Sequence, residues 1–233
     1  MSIILFSDAD RFDALRMDMQ GGPARGKRTL QRRIASTLTI LLLAAAWITG
    51  IVAGSIALWR HQSTPGPAAA APATWPGPDG FTLRDDAPTL LLFAHPRCPC
   101  TRATIEETAR IMAGSEGRLE MRFVFRVPVD ADDAWTDSAS WRRAAAIPGA
   151  ATIADAGGAL HEAFGVRTSG HALLYSADGS LLFSGGVTGG RGHEGGNPGR
   201  SAVVALLAGD TPRIRSAPVY GCPLVSEPLG AAR

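Results

Sequence analysis

From Ile34 to Trp59 the chain carries no charged residue. At about 1.5 Å of rise per helical residue, a run of that length crosses a hydrocarbon layer of roughly 30 Å. Signal-peptide apolar regions run to about 7–15 residues. This run is longer and follows an extended, polar N-terminal region, so it reads as an uncleaved anchor. The competing reading is a cleaved signal, for which Ala69-Ala70-Ala71 supplies a small-residue site. Arg25, Lys27, Arg28, Arg32 and Arg33 precede the run, against Arg60 and His61 after it. Cytoplasmic flanks are the basic ones. Residues 1–33 are therefore expected as a cytoplasmic basic tail, 34–59 as a single transmembrane helix, and the remainder outside the inner (cytoplasmic) membrane, in a periplasm-like compartment. The net charge of +2 gives no reason to invoke nucleic acid.

That placement gives meaning to the three cysteines, Cys98, Cys100 and Cys222, which all fall on the oxidising side, where disulfides persist. An odd count leaves one thiol over when two bridge, which suits exchange chemistry better than a purely structural framework.

Beyond the anchor, residues 60–80 are rich in Pro and Ala and read as a semi-rigid spacer. A domain is expected over 81–225, followed by a short tail at 226–233. Thr89–Ala94 is an uninterrupted apolar run, as in a strand buried on both faces. Residues 101–112 repeat apolar positions at helical spacing (Ile105, Ala109, Met112), and Met121–Val127 alternates like a strand. Asp137 is a candidate cap for a helix through Ala146, 151–155 a short strand and 157–164 a short helix. Asp178-Gly179 between His171–Tyr175 and Ser180–Ser184 signals a hairpin, because glycine takes positive φ readily. Asn197 and Pro198 then open a last helix. Alternating strands and helices closed by a hairpin and a helix predict an α/β fold with a mixed central sheet flanked by helices.

With the Phe93-Ala94-His95 strand end, the cysteines at the next helix N-terminus and the Asp178-Gly179 hairpin, residues 81–209 resemble the thioredoxin superfamily. Cys98-Pro99-Cys100, Thr168-Ser169-Gly170-His171 and the Arg191-Gly-His-Glu segment are similar to RedB-type, membrane-tethered members. The resemblance implies a thioredoxin-like fold and a thiol–disulfide oxidoreductase acting on a protein thiol or disulfide partner. In it Cys98, the more exposed of the pair, attacks and Cys100 resolves. The residues themselves point the same way: a helix N-terminus and nearby positive charge, here Arg97 and Arg102, favour the thiolate that attacks disulfides. A bridge between cysteines one residue apart closes a small ring and is expected to be strained and oxidising.

The superfamily's cis-proline is missing, and Gly170 stands in its place. The neighbouring His171 is then expected to point toward the cysteines. This opens a second reading, a copper(I)-binding or copper-delivery protein whose ligands are Cys98, Cys100 and His171, since soft thiolates select copper(I) and imidazole suits it too. His193 and His95 are weaker ligand candidates, and a backbone-bonded strand-edge His171 is the plainer alternative. A redox-inert interaction domain is a third reading. Cys222 is either a resolving thiol delivered by the C-terminal segment or a structural cysteine. Gly190–Gly195 matches G-x-G-x-x-G outside any βαβ unit and reads as a flexible rim, not a dinucleotide site. Trp135 and Trp141 are assigned to core packing or to a substrate-facing surface.

Overall fold

The computed structural model describes residues 24–78 and 80–224; most of the 1–33 tail and all of 226–233 lie outside them. Two units part between Ala57 and Leu58. The first consists of helix α1 (Ala24–Ser63) up to that boundary, and α1 runs through the whole charge-free segment. An 18-residue stretch within 26–63 has a mean hydropathy of 2.2, and the helix is long and apolar enough to cross a membrane.

The second unit is built on one six-stranded sheet in the order β3-β2-β1-β4-β5-β6. Strands β1 (Thr89–Ala94), β2 (Glu120–Val127) and β3 (Ala150–Ala156) run parallel; β4 (His171–Tyr175) is antiparallel to β1, and β5 (Leu181–Gly186) antiparallel to β4. Residues Ser216–Ala217 add β6, parallel to β5. Helix α2 (Thr101–Gly114) links β1 to β2. The short helices α3 (Asp133–Thr136) and α4 (Ala139–Ala145) precede β3, α5 (Ala159–Ala163) precedes β4, and α6 (Pro198–Leu207) follows β5. This is the thioredoxin-like arrangement expected from the chain.

Every residue of β1 is buried, which explains its unbroken apolar sequence. Leu90 and Leu92 face Ile105 and Ile111 of α2, Phe123 and Phe125 of β2 and Val203 of α6. Leu91 and Phe93 point the other way, onto Phe164, Val166, Leu173 and Tyr175. Each such side chain contributes about 1.5–3 kcal/mol by leaving water. β1 is thus fixed from both faces, and its C-terminal end makes a rigid base for the cysteine motif.

The Pro/Ala-rich stretch departs from the expected spacer: it is strapped across the domain. Gly66 N donates to Val219 O (2.8 Å), Ala70 N to Gly165 O (3.2 Å) and Trp75 N to Gly179 O (2.8 Å). The Tyr175 hydroxyl donates to Pro72 O (3.0 Å). Trp75 stacks on Phe81 and meets Phe164 and Tyr175 edge-on. Proline-rich backbone has few donors of its own, but here its carbonyls and one tryptophan find partners on the sheet, which outweighs the tendency to stay extended in solvent.

Candidate functional site: three thiols at the end of β1

After Ala94 the chain turns through His95-Pro96-Arg97, with Cys98 N donating to His95 O (3.1 Å), and α2 begins with Cys100 at its N-cap. Ser169 ties this turn to the segment before β4. Its hydroxyl accepts from His95 N (3.0 Å) and lies 3.2 Å from the Thr101 hydroxyl. Gly170 N donates to Phe93 O (2.8 Å), and Gly170 has φ +90°. Proline is locked near −65°, so the backbone facing the motif has a shape that proline does not take.

Cys98 Sγ lies 3.1 Å from Cys222 Sγ, although 124 residues separate them in the chain. The segment carrying Cys222 is laid antiparallel along residues 167–169: Ser169 N donates to Cys222 O (2.9 Å), Thr168 bridges Pro223, and Leu224 N donates to Arg167 O (2.8 Å). Gly221 is needed for this approach, because a Cβ there would run into the Ser169 carbonyl. Val219 and Leu224 are buried on either side of Cys222. All three cysteines are free thiols. The expected order of exposure is reversed: Cys98 is 4% exposed, while Cys100 and Cys222 are only part-buried. The folded-back segment is the physical reason.

The thiols differ electrostatically. Burial opposes ionisation of Cys98. Hydrogen bonds to its sulfur from the Cys222 thiol, the Cys222 and Cys100 backbones and the Thr101 hydroxyl outweigh that, and its pKa is lowered. Burial and then donation to Cys98 push Cys222 up to about 12. Burial and the charge of Cys98 likewise raise Cys100, against the opposing effect of Arg191. Cys98 is therefore the most readily ionised of the three thiols.

The basic partner is not the one the sequence suggests. Arg97 lies 3.9 Å over the Trp135 ring, and Arg102 reaches Glu194 (3.6 Å). Arg191 acts instead. Its guanidinium donates to the Gly221 carbonyl and, at 3.0 Å, to His61 O. The glycine-rich stretch that carries Arg191 is no loose rim. The fully buried Glu107 of α2 accepts from Gly195 N (2.7 Å) and pairs with Arg200 (2.7 Å) and Arg110. A carboxylate on the buried face of α2, where the helical pattern expects an apolar residue, is the signal that marks this clamp. Of the two tryptophans, Trp141 packs on Phe125 (5.1 Å) and belongs to the core. Trp135 sits by the motif, edge-on to His95 at 5.6 Å.

His171 does not join the thiols. Its Nε2 is 2.9 Å from the Ser184 hydroxyl, its Nδ1 is buried without a partner, and burial pushes its pKa down to about 4. It pairs with Phe93 across the β1–β4 ladder, so it shares the face of the sheet on which Phe93 is buried and is neutral there. His193 is exposed in its loop. Among the described residues no group of three or more His, Cys, Asp or Glu side chains is arranged to hold a metal ion. The Cys98–Cys100–His171 copper set is thus not assembled, because strand alternation turns the histidine into the core.

Behind the motif, buried Asp155 of β3 accepts from Leu160 N (3.0 Å), His161 N (2.9 Å) and His161 Nδ1 (2.5 Å), and the His161 ring packs edge-on against Phe93.

No family model matches the chain, and no curated protein matches it. Solved structures do. A hypothetical protein from Sinorhizobium meliloti 1021 aligns with a TM-score of 0.51 and 23% identity, over 69% of this chain and 93% of its own. An uncharacterized conserved protein from Geobacillus kaustophilus aligns at 0.50 and 17% identity, over 71% and 94%. An exposed lipoprotein thioredoxin of Streptococcus pneumoniae TIGR4 aligns at 0.40 and 18% identity, over 54% and 86%. The first two share the fold of this chain.

Proposed function

We propose that the chain is a membrane-tethered, extracytoplasmic thiol–disulfide oxidoreductase. The observation that carries this reading is the Cys98 sulfur, its pKa lowered, 3.1 Å from the Cys222 sulfur. A disulfide is about 2.05 Å long, so closing the bridge asks for roughly 1 Å of movement.

In this reading the Cys98 thiolate attacks one sulfur of a partner disulfide. That bond breaks, and its leaving sulfur takes up a proton. Cys222, losing its proton, then attacks Cys98 Sγ and expels the partner's second thiol. Two protein thiols are oxidised and one partner disulfide is reduced; the reverse sequence delivers a disulfide instead. Cys100, next to Cys98, is the second resolving thiol. The basic cluster at the start of α1, ahead of its charge-free run, supports a cytoplasmic N-terminus with the thiols outside the inner membrane.

Differential alkylation with mass spectrometry tests the proposal. After exposure to oxidised glutathione, Cys98 is expected in a reducible bridge, first to Cys222 and then shared with Cys100. Cys98 that stays unmodified with and without oxidant overturns it.

A further inference from the structure

We propose that residues 218–224 form a latch. They are a tethered stand-in for an external, extended, cysteine-bearing polypeptide, which must displace them to reach Cys98. This rests on the exchange chemistry proposed above and adds its control.

The latch pairs with the backbone of residues 167–169, just ahead of β4. Ser169 N and Arg167 O are the donor and acceptor it uses, and residues 222–224 satisfy them in antiparallel register through Cys222 O and Leu224 N. Pro223 has no N–H to lose and sits where the ladder asks for none. An incoming segment needs those same two main-chain groups and a sulfur at the place of Cys222. Both occupants cannot be there together.

The fastenings lie at the two ends of the latch. Val219 is buried and its carbonyl accepts from Gly66 N; Leu224 is buried among Phe164, Val166 and Tyr175; and Arg191 holds the Gly221 carbonyl between them. Cys98 is covered as a consequence. Release of the latch uncovers the Cys98 sulfur to an incoming segment, whose own sulfur and backbone take the places of Cys222. A closed Cys98–Cys222 disulfide, made at the expense of a partner or glutathione-type disulfide that leaves as two thiols, locks the segment in place. Attack by an external thiolate on Cys222 Sγ breaks that bond, frees the latch as a mixed disulfide and returns Cys98 as a thiolate.

The test uses the full chain in detergent micelles. The probe is a synthetic peptide of the 218–224 sequence whose cysteine is a mixed disulfide with thionitrobenzoate, so each attack releases a coloured thiolate. Labelling of Cys98, located by mass spectrometry, is expected to be at least tenfold faster in Leu224→Ala than in the native chain, and Leu224→Met restores the native rate. A scrambled peptide that keeps its cysteine should gain much less. Equal rates in the native chain and Leu224→Ala, with Cys98 labelled in both, overturn the latch and leave exchange standing. No release of the coloured thiolate in either, with Cys98 neither labelled nor bridged to Cys222 or Cys100, overturns the exchange reading itself. An equal gain for the scrambled peptide overturns recognition of an extended segment by the backbone of residues 167–169. If Leu224→Ala does not fold, Val219→Ala at the other end carries the same comparison.

Discussion

A proline at position 170 should damage this protein. Gly170 holds φ +90°, and its N–H donates to the carbonyl of fully buried Phe93 at 2.8 Å. Proline removes that donor, leaving a buried acceptor unpaired at a cost of about 1–3 kcal/mol. It also forces φ to about −65°, an incompatibility costing about 3 kcal/mol or more where the chain cannot yield. Together Gly170→Pro costs about 4–6 kcal/mol, a large part of the roughly 5–15 kcal/mol that holds a typical domain. Gly170→Ala keeps the hydrogen bond. It bears only the left-handed penalty of about 1–2 kcal/mol and a close contact with the Thr104 hydroxyl, 3.1 Å from the added methyl. The expected order is therefore native, then alanine, then proline, read as urea midpoints from tryptophan fluorescence of the full chain in mild detergent. A proline variant within about 1 kcal/mol of native would refute the argument: the loop facing the thiols would then have a proline-compatible shape.

Three further outcomes follow from the same geometry. Cys222→Ala removes a hydrogen-bond donor from the Cys98 sulfur, so the iodoacetamide reactivity of Cys98 should move to higher pH; an unchanged profile shows that Cys222 does not support the thiolate. Arg191→Gln removes the positive charge that favours ionised Cys100, so the alkylation profile of Cys100 should also move to higher pH; a downward move contradicts the assignment. Asp155→Asn should cost about 2–4 kcal/mol at pH 7, because one of the two acceptor oxygens serving three donors becomes an amide. The folded pKa of Asp155 is lowered, so its contribution is present above the unfolded value and lost as pH falls through the folded one. The gap between native and variant in urea titrations should accordingly narrow on acidification, and a gap independent of pH down to 3 contradicts this.

Much of the fold was legible because its signals are local. The unbroken apolar run of β1, the Asp-Gly turn with Gly179 at φ +83°, and the Asn197 cap, whose side chain accepts from Arg200 N at 2.8 Å, each depend on neighbours a few residues away. Where the cap was misplaced, the error was also local: Ser138, not Asp137, accepts from Trp141 N and starts α4 at Ala139. The two-residue β6 has too little sequence to carry a pattern. At the site, the cysteine pair was legible and its surroundings were not. Arg97 and Arg102 are adjacent in sequence but are turned to Trp135 and Glu194, whereas Arg191 and Cys222 arrive from the far side of the fold. His171 departs from the expected direction for a related reason. Its place beside Gly170 suggested proximity to the thiols, and the pleat of β4 decided which face it takes.

The strap and the latch meet through one hydrogen bond, Gly66 N to Val219 O, while Pro67 O accepts from the hydroxyl of Thr168, the residue that bridges Pro223. The first segment of the second unit is thus stitched to the last. A pull on the chain where it leaves α1 therefore loads the seam over Cys98 before it loads the sheet. Under tension applied there, the cover over the thiols is expected to yield before the sheet does, a sequence that single-molecule pulling with a thiol-reactive dye in solution can record.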